Sequence, residues 1–152
     1  MSKAAQQSVY FLNGPNANLY GLSDTGTYGH DTFDTLKERC ETEARRLSIS
    51  LAFRHSNSEG QLVDWIQEGI GKAEGLIING AGLTYTSVAL LDALLSFRGP
   101  IVEVHMSNIY RREAFRHHSF ISKAATGIVA GLGADGYEFA VAAMRRLLDR
   151  KT

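Results

Sequence analysis

Of 152 residues only one is a cysteine, Cys40, and only two are prolines. A lone thiol excludes an intrachain disulfide framework and a cysteine-based zinc site, and it fits a reducing compartment. Its place on an amphipathic stretch makes core filler the expected role for Cys40. Charge of one sign is missing too. Sixteen basic and sixteen acidic side chains cancel, no run of five like charges occurs, and nothing draws the chain to nucleic acid or an anionic membrane. No stretch approaches the ~18 uninterrupted apolar residues of a membrane span, and the first seven residues lack an apolar h-region. A soluble, cytoplasmic protein is expected. With no repeat, low-complexity tract or interdomain linker, residues 1–152 read as a single domain whose residues 1–7 form a flexible tail.

What is present is an alternation of apolar runs with helix-period stretches, the pattern of β-α units around a parallel sheet. Strands are predicted near 8–13, 49–54, 75–79, 100–105 and 126–130. Helices are predicted at 31–47, with Phe33, Leu36, Cys40, Ala44 and Leu47 inward, and at 58–70, opened by a Ser58/Gln61 capping box, with Leu62, Val63, Ile66 and Ile70 inward. A third, at 85–97, is apolar nearly all round, which requires two covered faces and suggests a neighbouring subunit. Asp92 lies inside it and needs a partner if buried. A fourth, at 134–149, carries Phe139, Ala140, Ala143, Met144 and Leu147. Residues 17–30, with Gly21, Gly26 and Gly29, form a long loop of the kind that serves as a lid.

Polar clusters follow three of the strands: Asn13-Gly-Pro-Asn16, Asn79-Gly-Ala-Gly82 and His105-Met-Ser-Asn108. In an open parallel sheet, ligands bind at these carboxyl ends. Asn13, Asn16 and Asn79 suit tight turns as well as ligand contacts. His105 reads either as a core histidine or as an acid tuned by Glu103, two residues away on the same side of the pleat. Ser107 and Asn108 precede a helical-looking Ile109–Phe115, whose start would suit an anion, and Arg112 and Arg116 would share a face of it. Adjacent His117 and His118 lack metal-ligand spacing, so no metal site is expected. No lysine falls in a strand-end cluster, which leaves a Schiff-base route without a nucleophile.

Taken together, Leu12-Asn-Gly-Pro-Asn-Ala-Asn-Leu19, Tyr28-Gly29, Ser56-Asn-Ser-Glu-Gly60, Thr84 through Leu90, Glu103-Val-His-Met-Ser-Asn108, Phe115-Arg-His-His-Ser119 and Gly131-Leu-Gly-Ala-Asp-Gly-Tyr137 resemble the type II 3-dehydroquinate dehydratases over nearly the whole chain. The resemblance implies a flavodoxin-like α/β three-layer sandwich, a five-stranded parallel sheet of order 2-1-3-4-5, and trimers grouped into a dodecamer. It implies loss of water from 3-dehydroquinate through an enolate, without metal or organic cofactor, in aromatic biosynthesis or quinate catabolism. On the matching positions, Tyr28 would be the base, Asn16 would hold the water that stabilises the enolate, and His105 would protonate the leaving hydroxyl. Asn79, Tyr85 and Arg116 would bind substrate, the backbone amides of Met106 and Ser107 would cradle its carboxylate, and Asp92 would reach the neighbouring subunit's site.

Three positions depart from the family pattern. Ser23 stands where the family carries a lid arginine, Tyr85 where it has a histidine, and Leu91 where an arginine is usual. Residues 17–28 contain no lysine or arginine. An unperturbed tyrosine has a pKa of about 10, so near pH 7 roughly one in a thousand is phenolate; a neighbouring cation is the usual remedy. The expectation is therefore a dehydratase that is either impaired or dependent on a cation supplied from elsewhere. The alternatives left open are a catalytically silent relative that binds a metabolite or serves as a scaffold, and an enzyme for a related cyclic hydroxy-ketone acid.

Overall fold

The computed structural model describes residues 6–22 and 31–150. Five strands, β1 (Gln7–Asn13), β2 (Ile49–His55), β3 (Gly75–Asn79), β4 (Ile101–His105) and β5 (Gly127–Ala130), alternate with helices α1 (Phe33–Arg46), α2 (Glu59–Gly69), α3 (Val88–Leu95) and α4 (Gly133–Asp149). All pairings are parallel, in the order β2-β1-β3-β4-β5. This is the flavodoxin-like order that the resemblance implies, and it contains the parallel sheet of β-α units expected from the alternation. β1 begins at Gln7, so the strand takes a residue assigned to the tail.

The two-residue period of the strands sorts the core into two layers. Val9, Phe11, Ile77, Val102 and Val104 face α1 and α4. Tyr10, Leu12, Leu76, Ile78 and Ile101 face α2 and α3. Central strands β1, β3 and β4 are apolar on both sides because both faces are covered. Cys40 lies fully buried among these side chains, and burial pushes its thiol up to about 12, which keeps it protonated and unreactive.

Local chemistry explains the helix starts. Thr32 accepts from the Thr35 N–H, Ser58 from Gln61 and Ser87 from Leu90. The Ser58 box closes differently from expectation, because the Ser58 N–H donates to the Ser56 hydroxyl at 3.0 Å. The inward face of α4 also differs: Tyr137, Ala140, Val141, Met144 and Leu148 are buried while Phe139 is exposed.

Two further expectations need correction. The helix predicted from 85 starts at Val88, since Ala81–Tyr85 is a separate 3₁₀ turn and Ser87 caps the helix proper. In this single chain α3 covers only one face. Leu90, Ala93 and Leu94 are buried, whereas Val88, Asp92 and Leu95 are exposed on the face expected to meet a neighbouring subunit. The predicted helix Ile109–Phe115 is instead two 3₁₀ turns, Ile109–Arg111 and Ala114–Arg116, broken at Arg112. Asn108 caps only the first of these, by accepting from the Tyr110 N–H, so no helix start is available there for an anion.

Candidate active site

The carboxyl ends of β1, β3 and β4 meet at one cavity of about 150 Å³, room for a molecule of about one six-membered ring. Its wall includes Asn16, Tyr20, Asn79, Tyr85, His105, Met106, Ser107, Arg112 and Arg116. Eight of these, all but Tyr20, were singled out from the sequence as site candidates and are thus brought together. Tyr28 and Ser23 lie outside the described residues, as does most of the predicted lid. Asp92 does not reach this cavity.

Each strand end is shaped by its turn. Gly14 donates its N–H to the Asn79 carbonyl at 2.8 Å, and a Cβ at position 14 would stand 2.6 Å from the Gly80 oxygen. The two loops can cross this closely only with glycine there. Asn16 follows in the left-handed region (φ 73°), which asparagine tolerates. Its backbone N–H is held by the Asn57 side chain at 2.8 Å, and its own side chain makes no turn bond, so it borders the cavity. Asn79 does both jobs considered for it. Its Oδ1 accepts from the Ala81 N–H at 3.0 Å, an Asx turn that holds Ala81 at φ 50°, while the residue lines the cavity.

Behind His105 lies a buried charge. Glu103 is fully buried and His105 4 % exposed; His105 Nε2 and Glu103 Oε2 are 2.5 Å apart. The same-side reading of this pair holds. Two hydroxyls absent from the sequence reading complete the arrangement: Ser119 donates to Oε2 at 2.9 Å and Ser122 to Oε1 at 2.5 Å. Burial alone would raise the Glu103 pKa, but the hydrogen bonds from His105, Ser122 and Ser119 outweigh it and hold the carboxyl below its ordinary value. Glu103 is therefore an anion at neutral pH.

The wall also carries two guanidiniums. Arg112 Nη1 donates to the Ser107 hydroxyl at 3.1 Å, and Arg116 pairs with Glu113 at 2.7 Å. The two arginines reach the cavity from the break between the turns and from the second turn, rather than from one helix face. Among the described residues no carboxylate lines the cavity, and the two guanidiniums suit an anionic ligand. Tyr85 sits between these groups: its ring stacks on His105 at 6.4 Å and 21°, and the Arg116 guanidinium lies 5.3 Å from its centroid. Burial pushes the Tyr85 phenol up despite Arg116 and Arg112, so it remains a hydroxyl at neutral pH.

Sequence reasoning assigned no role to Tyr20, Tyr137, Ser119, Ser122 or Asn57. Tyr137 carried a usable signal, since it falls in register with Ala140, Val141 and Met144 on the inward face of α4, and a buried phenol needs a polar partner. It finds two: its hydroxyl donates to Asn13 Oδ1 at 2.7 Å and accepts from Asn79 Nδ2 at 2.7 Å. Among the described residues no group of three or more His, Cys, Asp or Glu side chains is placed to hold a metal ion, and no helix is long and apolar enough to cross a membrane.

Residues 7–145 match the family described as dehydroquinase class II. A 3-dehydroquinate dehydratase of Bartonella tribocorum is 53 % identical over 133 residues, 88 % of this chain and 89 % of the relative. One from Tolumonas auensis is 46 % identical over 148 residues, 97 % of each chain. The crystal structure of a type II dehydroquinase from Propionibacterium acnes superposes with a TM-score of 0.89 at 35 % identity, covering 95 % of this chain and 99 % of the other.

Proposed function

Since the chain belongs to the class II dehydroquinase family, we propose that it removes water from 3-dehydroquinate to give 3-dehydroshikimate. The observation that carries this reading is the His105–Glu103 pair, set at a cavity bordered, among the described residues, by two guanidiniums and no carboxylate. A hydroxylated keto acid needs an anion site for its carboxylate and a proton donor for its leaving hydroxyl, and this wall holds side chains suited to both.

Tyr28 takes the proton from the carbon beside the ketone, and the electron pair moves into an enolate. Asn16 holds the water that stabilises the enolate oxygen. The enolate then re-forms the ketone and expels the β-hydroxyl, which His105 protonates as it leaves as water; the product is a conjugated enone. The proton left on Tyr28 returns to solvent, and His105 is reprotonated. Glu103 holds the His105 ring in place. Arg116, the Tyr85 hydroxyl, Asn79 and the backbone of Met106 and Ser107 bind the acid and its hydroxyls. No metal or organic cofactor takes part.

Ser23 sets the rate in this reading. Residues 17–28 supply no cation, and for an unassisted phenol the scarcity of phenolate at pH 7 amounts to about 4 kcal/mol. The exposed Val88 and Leu95, on either side of Asp92 along α3, support a subunit contact on that face. A trimer-built dodecamer would bring Asp92 to a neighbour's cavity. The role is cytoplasmic, in aromatic biosynthesis or quinate breakdown.

Purified protein given dehydroquinate is expected to develop the ultraviolet absorbance of an enone slowly, and Ser23→Arg to raise kcat and shift its basic limb downward. No absorbance at high protein concentration from either form would reject the reading. A second reading is favoured by the missing cation in residues 17–28: a silent binding protein. Thermal stabilisation by dehydroquinate without turnover selects it.

A further inference from the structure

A chain of hydrogen bonds runs beneath the cavity on the α1/α4 side of the sheet, and its direction is fixed at both ends by backbone groups. At one end Asn13 Nδ2 donates to the Arg54 carbonyl at 3.1 Å, which can only accept. Asn13 must therefore turn Oδ1 to Tyr137, which donates to it at 2.7 Å. At the other end the Ala81 N–H can only donate, and it donates to Asn79 Oδ1. Asn79 Nδ2 is thereby aimed at two phenol oxygens, Tyr137 at 2.7 Å and Tyr20 at 2.8 Å. No amide can flip without setting two donors or two acceptors against each other. Asn13 and Tyr137 are fully buried and Asn79 is 2 % exposed, so water does not substitute. Burial pushes the Tyr137 phenol well above its ordinary value, which keeps its proton in place at neutral pH.

We propose that Tyr137 is a positioning residue for the site: by engaging one amide hydrogen of Asn79 while Tyr20 engages the other, it makes Asn79 meet the ligand as an acceptor only. The first lone pair of Oδ1 is used by Ala81, and the second is left to receive a hydroxyl proton of the substrate. Asn79 in this way reads a hydroxyl and disfavours a bare acceptor at that point. Tyr137 itself does not line the cavity. It acts through Asn79, one strand end away from His105.

This inference deepens the dehydratase reading and rests on it for the identity of the hydroxylated ligand. Tyr137→Phe keeps the ring packed on Phe11 at 4.9 Å and removes only the bridging oxygen. It is expected to raise KM for dehydroquinate about tenfold, the effect of one misdirected hydrogen bond, with kcat nearly unchanged. In an Asn79→Ala background the same change should leave KM where Asn79→Ala put it. A Tyr137→Phe protein that loses thermal stability alone, or effects on KM that multiply in the double variant, would overturn the proposal. Hydrogen exchange of the Asn79 side-chain amide, followed by NMR, does not depend on turnover: it should quicken in Tyr137→Phe, and an unchanged rate overturns the inference even if the wild type proves inactive. Inactivity of the wild type with quickened exchange rejects the dehydratase reading and leaves the relay standing. If Tyr137→Phe does not fold, Asn13→Ala, one bond further from the cavity, must move KM and exchange in the same direction by less; no movement in a folded Asn13→Ala protein overturns the proposal.

Discussion

At the end of β4 the sheet buries a charge, whereas at the ends of β1 and β3 it buries only amides and phenols. Glu103 and His105 point to the α2/α3 side, where Ser119 and Ser122 close on the carboxylate. Asn13 and Asn79 are register partners on neighbouring strands and point to the α1/α4 side, where Tyr137 bridges them. The pleat makes the separation possible, because strand ends of opposite phase at one rim present side chains to opposite layers. The difference teaches a division of labour. A buried ion with three donors can hold a proton-transferring ring but responds to acid, while a neutral relay orients hydrogen-bond polarity and stays constant over the same pH range.

Loss of the ring at the charged end should have the largest effect. His105→Ala is expected to lower kcat by about 10²–10⁴, the range for removing a positioned acid, with a much smaller change in KM. Asn79→Ala at the neutral end should show chiefly in KM. Steady-state kinetics of both variants check the division, and it fails if both fall in the same parameter.

Stability against pH should separate the ends next. The carboxyl of Glu103 is depressed in the folded chain, so its contribution is complete above the ordinary carboxylate value and is lost as pH falls through the depressed one. Tyr137 is raised, so its contribution is complete below the ordinary phenol value of about 10 and is lost as pH rises beyond it. Glu103→Gln should flatten the acid flank of a denaturation series and lower stability at neutral pH by about 1–3 kcal/mol. Tyr137→Phe should flatten the alkaline flank only. Equal changes on both flanks from either variant would mean that the two clusters are not independent.

How much of this was legible in the sequence follows the reach of each rule. Strand periodicity located the sheet and put Glu103 beside His105, because both residues belong to one element. The Asn13, Asn79 and His105 clusters converged because carboxyl ends of parallel strands share a rim. Partners supplied from far along the chain were not legible: Ser119 and Ser122 come from turns without helical or strand period, and Tyr137 lies 58 residues from Asn79. The break at Arg112 was missed because propensity in Ile109–Phe115 favours a helix, while the structure forms two short turns with Arg112 Nη1 bonded to Ser107.

The smallest effect expected is the most selective test of the charged end. Ser122 supplies the hydroxyl on Oε1 of Glu103, while His105 and Ser119 share Oε2. Ser122→Ala leaves the His105 contact in place and removes one donor from the anion, so stability at neutral pH should fall by only about 1–2 kcal/mol. The carboxylate, less well solvated, takes up its proton at a higher pH, and the acid limb of kcat should move upward with it. Ser119→Ala, on the oxygen that also receives His105, should shift that limb in the same direction and lower kcat as the ring loosens. A limb that stays fixed in Ser122→Ala while stability falls would show that the hydroxyl packs against Glu103 without setting its charge. The contrast between the two strand ends would then rest on burial alone.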